Sequence, residues 1–221
     1  MTGSLWAVLL STCVFAQQTA TGPQRFAAEI AKFEAADKAS PPTAGGNLFI
    51  GSSSIRMWDL PESFPGVTCV NRGFGGSTWP DVLHFAERIL AGHSPEVMVI
   101  YCGDNDVGTG RTAEQIVADY RQFVTLVRRQ LPETKIVWIP IKPSGKRWAL
   151  REVAQQANAL VLAAQKDQPL ETSIDIWDAM LGADGLPRAE LYKADQLHLT
   201  PEGYALWNAQ LRPLLAPSTR K

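Results

Sequence analysis

The stretch "NLFIGSSSIRMW", residues 47–58, sets the reading of the whole chain. An apolar run climbs to Gly51, and Ser52, Ser53 and Ser54 follow in a row. A short apolar run closed by a turn signal reads as a buried strand, so the serines mark a strand-to-helix turn. Hydroxyls at such a turn shape the helix start, or one of them is a nucleophile. A nucleophile has further requirements: a base, an acid that orients it, and donors for a developing oxyanion.

Outward from this stretch, strands and helices alternate. Upstream, "PQRFAAEIAKFEAADKA" (23–39) puts Phe26, Ile30 and Phe33 on one helical face. Downstream, "VTCVN" (67–71) reads as a second strand. "DVLHFAERILAG" (81–92) carries Val82, Phe85, Ile89 and Leu90 at helical spacing and stops at Gly92. "EVMVIYC" (96–102) is continuously apolar, as a strand buried on both faces should be. Thr112 and Gln115 form a capping box for a helix through Ile116, Tyr120, Phe123, Val127 and Leu131. Strand "KIVWIPI" (135–141), helix "ALREVAQQANALVLAAQ" (149–165) and strand "SIDIW" (173–177) follow. After a loop at Gly182–Pro187, a last helix opens at Pro201, a favoured first-turn residue. This alternation predicts an α/β fold: a central five-stranded parallel sheet, order 2-1-3-4-5, with helices on both faces. No internal repeat interrupts it, and residues 17–221 suit one domain.

Composition narrows the function. Of 221 residues, 45% are hydrophobic and 19% charged, a globular rather than a disordered balance. With 21 Lys plus Arg against 22 Asp plus Glu and no basic block, there is no electrostatic footprint for nucleic acid. Polybasic and acidic tails are also lacking. "SLWAVLLSTCVFAQQ" (4–18) resembles a secretory signal cleaved after Ala16, although no Lys or Arg precedes Arg25. The expectation is a signal peptide over 1–16 and a secreted or periplasmic protein. Thr12 spoils a lipoprotein box at Cys13, and no other apolar run is long enough to cross a bilayer, so no stable membrane insertion is expected. Signal removal leaves Cys69 and Cys102, on strands that the predicted order keeps apart, so no disulfide is expected. With three histidines in the chain, no zinc-ligand spacing occurs, and no metal is expected.

Ligands of open parallel sheets bind beyond the carboxyl ends of the strands. There the chain places Ser52 to Ser54, then "NRGFGGST" (71–78), "GDNDVGTG" (103–110), "KPSGKRW" (142–148) and "ADQLHLTPEGY" (194–204). Four of these segments suit acyl transfer. His198 can serve as base, and Asp195, three residues earlier, lies within a turn's reach of the imidazole. Gly75 and Gly76 leave backbone N–H groups open to close approach. The Asn105 amide supplies another donor.

Those segments resemble the sequence blocks of the SGNH, or GDSL-type, hydrolases. "FIGSSS" is similar to the first block, with Ser53 in the nucleophile's place. "NRGFGGS" resembles the second, with Gly76 as the oxyanion-hole glycine; "YCGDND" resembles the third, with Asn105 as its asparagine. "DQLH" resembles the fifth, with Asp195 and His198. The likeness runs over about residues 47–215 and lies nearest the secreted bacterial members of the platelet-activating-factor acetylhydrolase-like group. It implies a three-layer flavodoxin-like fold and hydrolysis of small-molecule esters without a cofactor. It further implies Ser53, Asp195 and His198 as catalytic residues, with the Ser53 and Gly76 N–H groups and Asn105 as the oxyanion hole. Short acyl or acetyl esters, acetylated carbohydrates among them, are the implied substrates. Alternatives are lysophospholipids or thioesters, or a non-catalytic ligand-binding module on the same fold. One position departs from the pattern: the family's aspartate before the nucleophile is Ser52 here, where a hydroxyl can still bond the backbone.

The remaining polar residues get plainer expectations. His84 lies on the polar side of its helix, and His93 follows a helix end, so both read as solvated surface residues. Asp104 and Asp106 read as turn residues. "GFGGST" lacks the spacing of a dinucleotide loop and follows the wrong strand for one. Lys142 and Lys146 read as solvated lysines or as holders of an anionic substrate group. Trp58, Trp79 and Trp148 read as pocket walls or as packing.

Overall fold

The computed structural model describes residues 21–217. The expected signal peptide, residues 1–16 with Cys13, lies outside the described residues. Five parallel strands form one sheet in the order β2-β1-β3-β4-β5. They are β1 (Asn47–Gly51), β2 (Cys69–Gly73), β3 (Val97–Tyr101), β4 (Lys135–Trp138) and β5 (Glu171–Ser173). The helices are α1 (Ala27–Ala39), α2 (Ser53–Arg56), α3 (Leu60–Ser63), α4 (Trp79–Leu90), α5 (Asp104–Gly108), α6 (Ala113–Gln130), α7 (Arg151–Gln165) and α8 (Pro201–Leu211).

Alternation along the strands divides the core in two. Leu48, Ile50, Met98, Ile100, Ile136 and Trp138 pack with Ile30 of α1, Phe85 of α4, Phe123 of α6 and Val161 of α7. Phe49, Val99, Tyr101 and Val137 point the other way, to Ile55 of α2, Leu60 of α3 and Trp207 of α8. This is the expected three-layer arrangement. Because β1 is central and its side chains are buried on both faces, its near-continuous apolar run follows from its place. β1 also separates Cys69 from Cys102, and both thiols are free.

Three strands differ from expectation by two residues or more. β4 stops at Trp138, three residues short of the expected 141. β2 runs two residues later, because its register against β1 pairs Asn47 with Cys69 and Gly51 with Gly73. Asn71 and Arg72, ahead of its last residue Gly73, are polar and escape an apolar pattern. β5 is Glu171–Ser173 instead of 173–177. Its ladder ends where Ser173 meets Trp138, the last residue of β4. Two residues beyond, Pro140 has no N–H to offer a neighbour. Ile174 and Ile176 stay buried in the second core without pairing, so their alternation came from burial rather than from a strand.

Candidate active site

The site is built where the strands end. Gly51 closes β1 at φ +137°, and a Cβ there would lie 2.0 Å from the Tyr101 carbonyl oxygen, so only glycine fits. The Ser52 N–H then donates to that same oxygen at 3.1 Å, extending the β1–β3 contact by one residue. Ser52 is extended and buried, and its hydroxyl makes no capping hydrogen bond, contrary to expectation. Ser53 opens α2 and is half-buried, and Ser54 is buried beneath it.

His198 reaches Ser53 from the far end of the chain. Its loop is closed by a bridge between Tyr192 and Leu199 and by the Lys193 N–H donating to the His198 carbonyl at 2.7 Å. Thr200 accepts the Gly203 N–H and starts α8 just beyond. Within this loop Asp195 divides its two oxygens. Oδ1 accepts the backbone N–H groups of Leu197 and His198, each at 3.0 Å. Oδ2 lies 2.6 Å from His198 Nδ1. The three-residue spacing is thus explained: a turn bonded to one oxygen brings the ring to the other.

The His198 backbone N–H, and then its ring, hold the Asp195 carboxyl well below the usual carboxylate range. An ionised carboxylate only accepts, so Nδ1 carries the ring proton and Nε2 presents its lone pair. Nε2 lies 3.0 Å from Ser53 Oγ. A hydroxyl, an imidazole and a carboxylate therefore stand in one chain of hydrogen bonds, although 145 positions separate Ser53 from His198.

Gly76 takes the left-handed conformation, φ +82°, in the turn after β2. Space for a Cβ is open there, so the backbone angle is what favours glycine. Among the described residues, the Ser53 and Gly76 N–H groups have no acceptor. Asn105, in α5 after β3, is half-buried and donates one Nδ2 hydrogen to the Ser77 carbonyl at 2.9 Å. That leaves its second amide hydrogen free.

Several neighbours depart from expectation. Asp104 is no turn residue: it is buried between Lys142 Nζ, at 2.6 Å, and the Arg147 guanidinium. Burial pushes its carboxyl up, but Lys142 and Arg147 outweigh this and hold it below its ordinary value. Lys142 is neither solvated nor free for a substrate: it is 2% exposed and also donates to Tyr101 Oη at 2.9 Å. Burial lowers its pKa, against the opposing pull of Asp104. Asp106 is fully buried, its carboxylate accepting the Trp79 backbone N–H at 3.1 Å, and burial pushes it up to about 6. Lys146 stays exposed, and its N–H donates to the Gln196 carbonyl at 3.0 Å.

Of the tryptophans, Trp58 and Trp79 belong to the core. Trp148 lines a groove of about 290 Å³ with Leu186, Pro187, Tyr192 and Gln196, beside the Asp195–His198 turn. His84 is exposed as expected, but His93 is buried with Nε2 3.2 Å from Asp37 Oδ2. Burial lowers the His93 pKa, against the pull of Asp37. Sequence reasoning missed Arg147 altogether: its segment was visible after β4, but the guanidinium acts on partners about forty positions away.

Residues 51–206 match the GDSL-like lipase/acylhydrolase family, which covers more than half of the chain. The chain belongs to that family. It is accordingly an enzyme, a GDSL-type esterase. A curated relative, platelet-activating factor acetylhydrolase IB subunit alpha1 of Pongo abelii, is 31% identical over 165 residues, 72% of this chain and 70% of its own. The Homo sapiens protein of the same name is 30% identical over 164 residues, 71% of this chain and 69% of its own. Among solved structures, one described as a platelet activating factor from Streptococcus pneumonia matches with a TM-score of 0.78 at 22% identity, over 86% of this chain and 92% of that one. A GDSL-like lipase from Bacteroides thetaiotaomicron matches at 0.68 and 21% identity, over 87% and 96%. An acetyl xylan esterase variant from Geobacillus stearothermophilus matches at 0.61 and 16% identity, over 80% and 98%. At these identities the structures show the GDSL fold.

Proposed function

We propose that this GDSL esterase is a serine carboxylester hydrolase that works through an acyl-enzyme on Ser53. The observation that carries it is the hydrogen-bonded line from Ser53 Oγ through His198 to Asp195, at 3.0 Å and 2.6 Å. Ser53 Oγ attacks the ester carbonyl while His198 Nε2 takes its proton. Asp195 keeps the imidazole in that tautomer and stabilises the imidazolium. The tetrahedral oxyanion is received by the Ser53 and Gly76 N–H groups and the free Asn105 amide hydrogen, and losing one such donor typically costs ~3 kcal/mol. His198 then gives its proton to the leaving alcohol. Water attacks the acyl-enzyme by the same base catalysis and releases the acid.

The proposed substrates are short acyl esters, acetyl esters first, with acetylated carbohydrates among them. The names of the acetylhydrolase relatives and of the acetyl xylan esterase neighbour support this class. A panel of acetylated sugars, longer-chain lipid esters and thioesters ranks the candidates by kcat/KM.

The deciding experiment is labelling with a fluorophosphonate probe and peptide mapping. The adduct is expected on Ser53. Ser53→Ala should abolish labelling and turnover, while Ser54→Ala retains most of both. A folded protein that takes no adduct at residues 52–54 sinks the serine-hydrolase reading.

A further inference from the structure

The Asn105 amide is held from both sides. Its Nδ2 donates to the Ser77 carbonyl at 2.9 Å, and its Oδ1 accepts from Arg147 Nη2 at 2.9 Å. A carbonyl can only accept and a guanidinium can only donate. Flipping the amide would therefore set oxygen against oxygen and NH₂ against guanidinium. The two partners together select one orientation, and it leaves one amide hydrogen unengaged.

Arg147 is itself held. Its Nη1 bonds Asp104 Oδ1, and Lys142 Nζ holds the other carboxylate oxygen at 2.6 Å. Asp104 and Lys142 are buried, and Arg147 is 19% exposed. The Arg147 backbone departs from helical angles within Gly145–Leu150, at φ −121°. Asp104 and Asn105 are adjacent, so one guanidinium fork spans both side chains.

We propose that Arg147 is a positioning residue for the oxyanion site. It fixes the Asn105 amide so that its free hydrogen faces the developing oxyanion, and it draws electron density from that amide through Oδ1. Asp104 and Lys142 hold the guanidinium in place. This rests on the acyl-enzyme reading above. A donor fixed in advance stabilises the transition state with no reorganisation at the moment of reaction. Nothing in the arrangement requires Arg147 to touch the ester in the ground state, so its effect belongs in kcat.

Steady-state kinetics on a p-nitrophenyl acetate probe test this, with thermal melting as the control for folding. Arg147→Met is expected to lower kcat ~10- to 100-fold with KM nearly unchanged, a fraction of what losing a whole donor costs. In an Asn105→Ala background the same substitution should cost almost nothing further, because the two residues act as one unit. Arg147→Lys keeps a charge against Asp104, but one ammonium cannot replace the fork. It should therefore keep the melting temperature and still lose kcat. Full kcat in Arg147→Lys and Arg147→Met, a loss confined to KM, or equal losses with and without Asn105 would each overturn the proposal. Fluorophosphonate labelling of Ser53 in the same variants separates this from failure of the nucleophile itself.

Discussion

At the scale of single residues, the three consecutive serines are not equivalent. Ser52 continues the β1–β3 contact with its N–H, Ser53 carries the hydroxyl bonded to His198, and Ser54 is buried beneath. Their difference comes from partners far away in sequence. Asp195 shows how one side chain does two tasks, since one oxygen builds the turn and the other orients the ring. Asp195→Asn should keep the fold and lower kcat by ~10³- to 10⁴-fold, because an amide can favour the wrong imidazole tautomer. Asp195 is exposed, so stability should change little. The pH profile checks the assignment. The wild-type carboxyl is held well below its ordinary value and stays ionised throughout mild acid. Asp195 therefore adds no step of its own to the rate profile in mild acid. A step in the rate where an ordinary carboxylate titrates, lost in Asp195→Asn, would contradict the assigned carboxylate.

At the scale of elements, the loops after β1 and β3 were legible because serine, glycine and asparagine there follow continuous apolar runs, and the loop after β2 was legible by its glycines. Apolar patterning located the longer helices by their spacing, and β1 and β3 by continuous runs, because those two strands are buried on both faces. It failed at β5, where burial alternates along a segment that makes no ladder. The polar ties between elements were hidden too. Asp106 of α5 accepts the first N–H of α4, at Trp79, and sits beside the Arg111 guanidinium, which also pairs with Asp119. Desolvation raises Asp106 to about 6 from an ordinary 3.8. Below about 4 the carboxyl is protonated in both folded and unfolded states. Between about 4 and 6 the unfolded chain ionises first, so folding stability falls as pH rises; above that the penalty is constant. Asp106→Asn lacks this titration. Denaturant unfolding at pH 4 and pH 7 should show wild type losing stability relative to Asp106→Asn, on the order of 2 kcal/mol. Equal pH dependence in the two proteins would exclude the raised carboxyl.

At the scale of the whole molecule, the site is a consequence of topology. The order β2-β1-β3-β4-β5 puts the ends of β2, β1 and β3 side by side, so Gly76, Ser53 and Asn105 share one edge. Arg147 follows β4 on the same edge, and the loop before α8 adds Asp195 and His198. The parallel arrangement and this gathering were legible from the order of motifs. The Arg147–Asp104–Lys142 group was not, since buried charges read as loop residues until their partners are placed. The His198 loop is exposed at Asp195 but bracketed by buried Leu191, Tyr192 and Leu199. Those anchors join the second core, together with Trp207 and Tyr101. The active geometry should therefore persist until that core unfolds. Loss of esterase activity and loss of tryptophan fluorescence in urea should trace one transition with one midpoint. Trp138 lies in the first core and Trp207 in the second, so fluorescence reports both. An activity midpoint clearly below the fluorescence midpoint would show instead that the His198 loop opens as a separate unit.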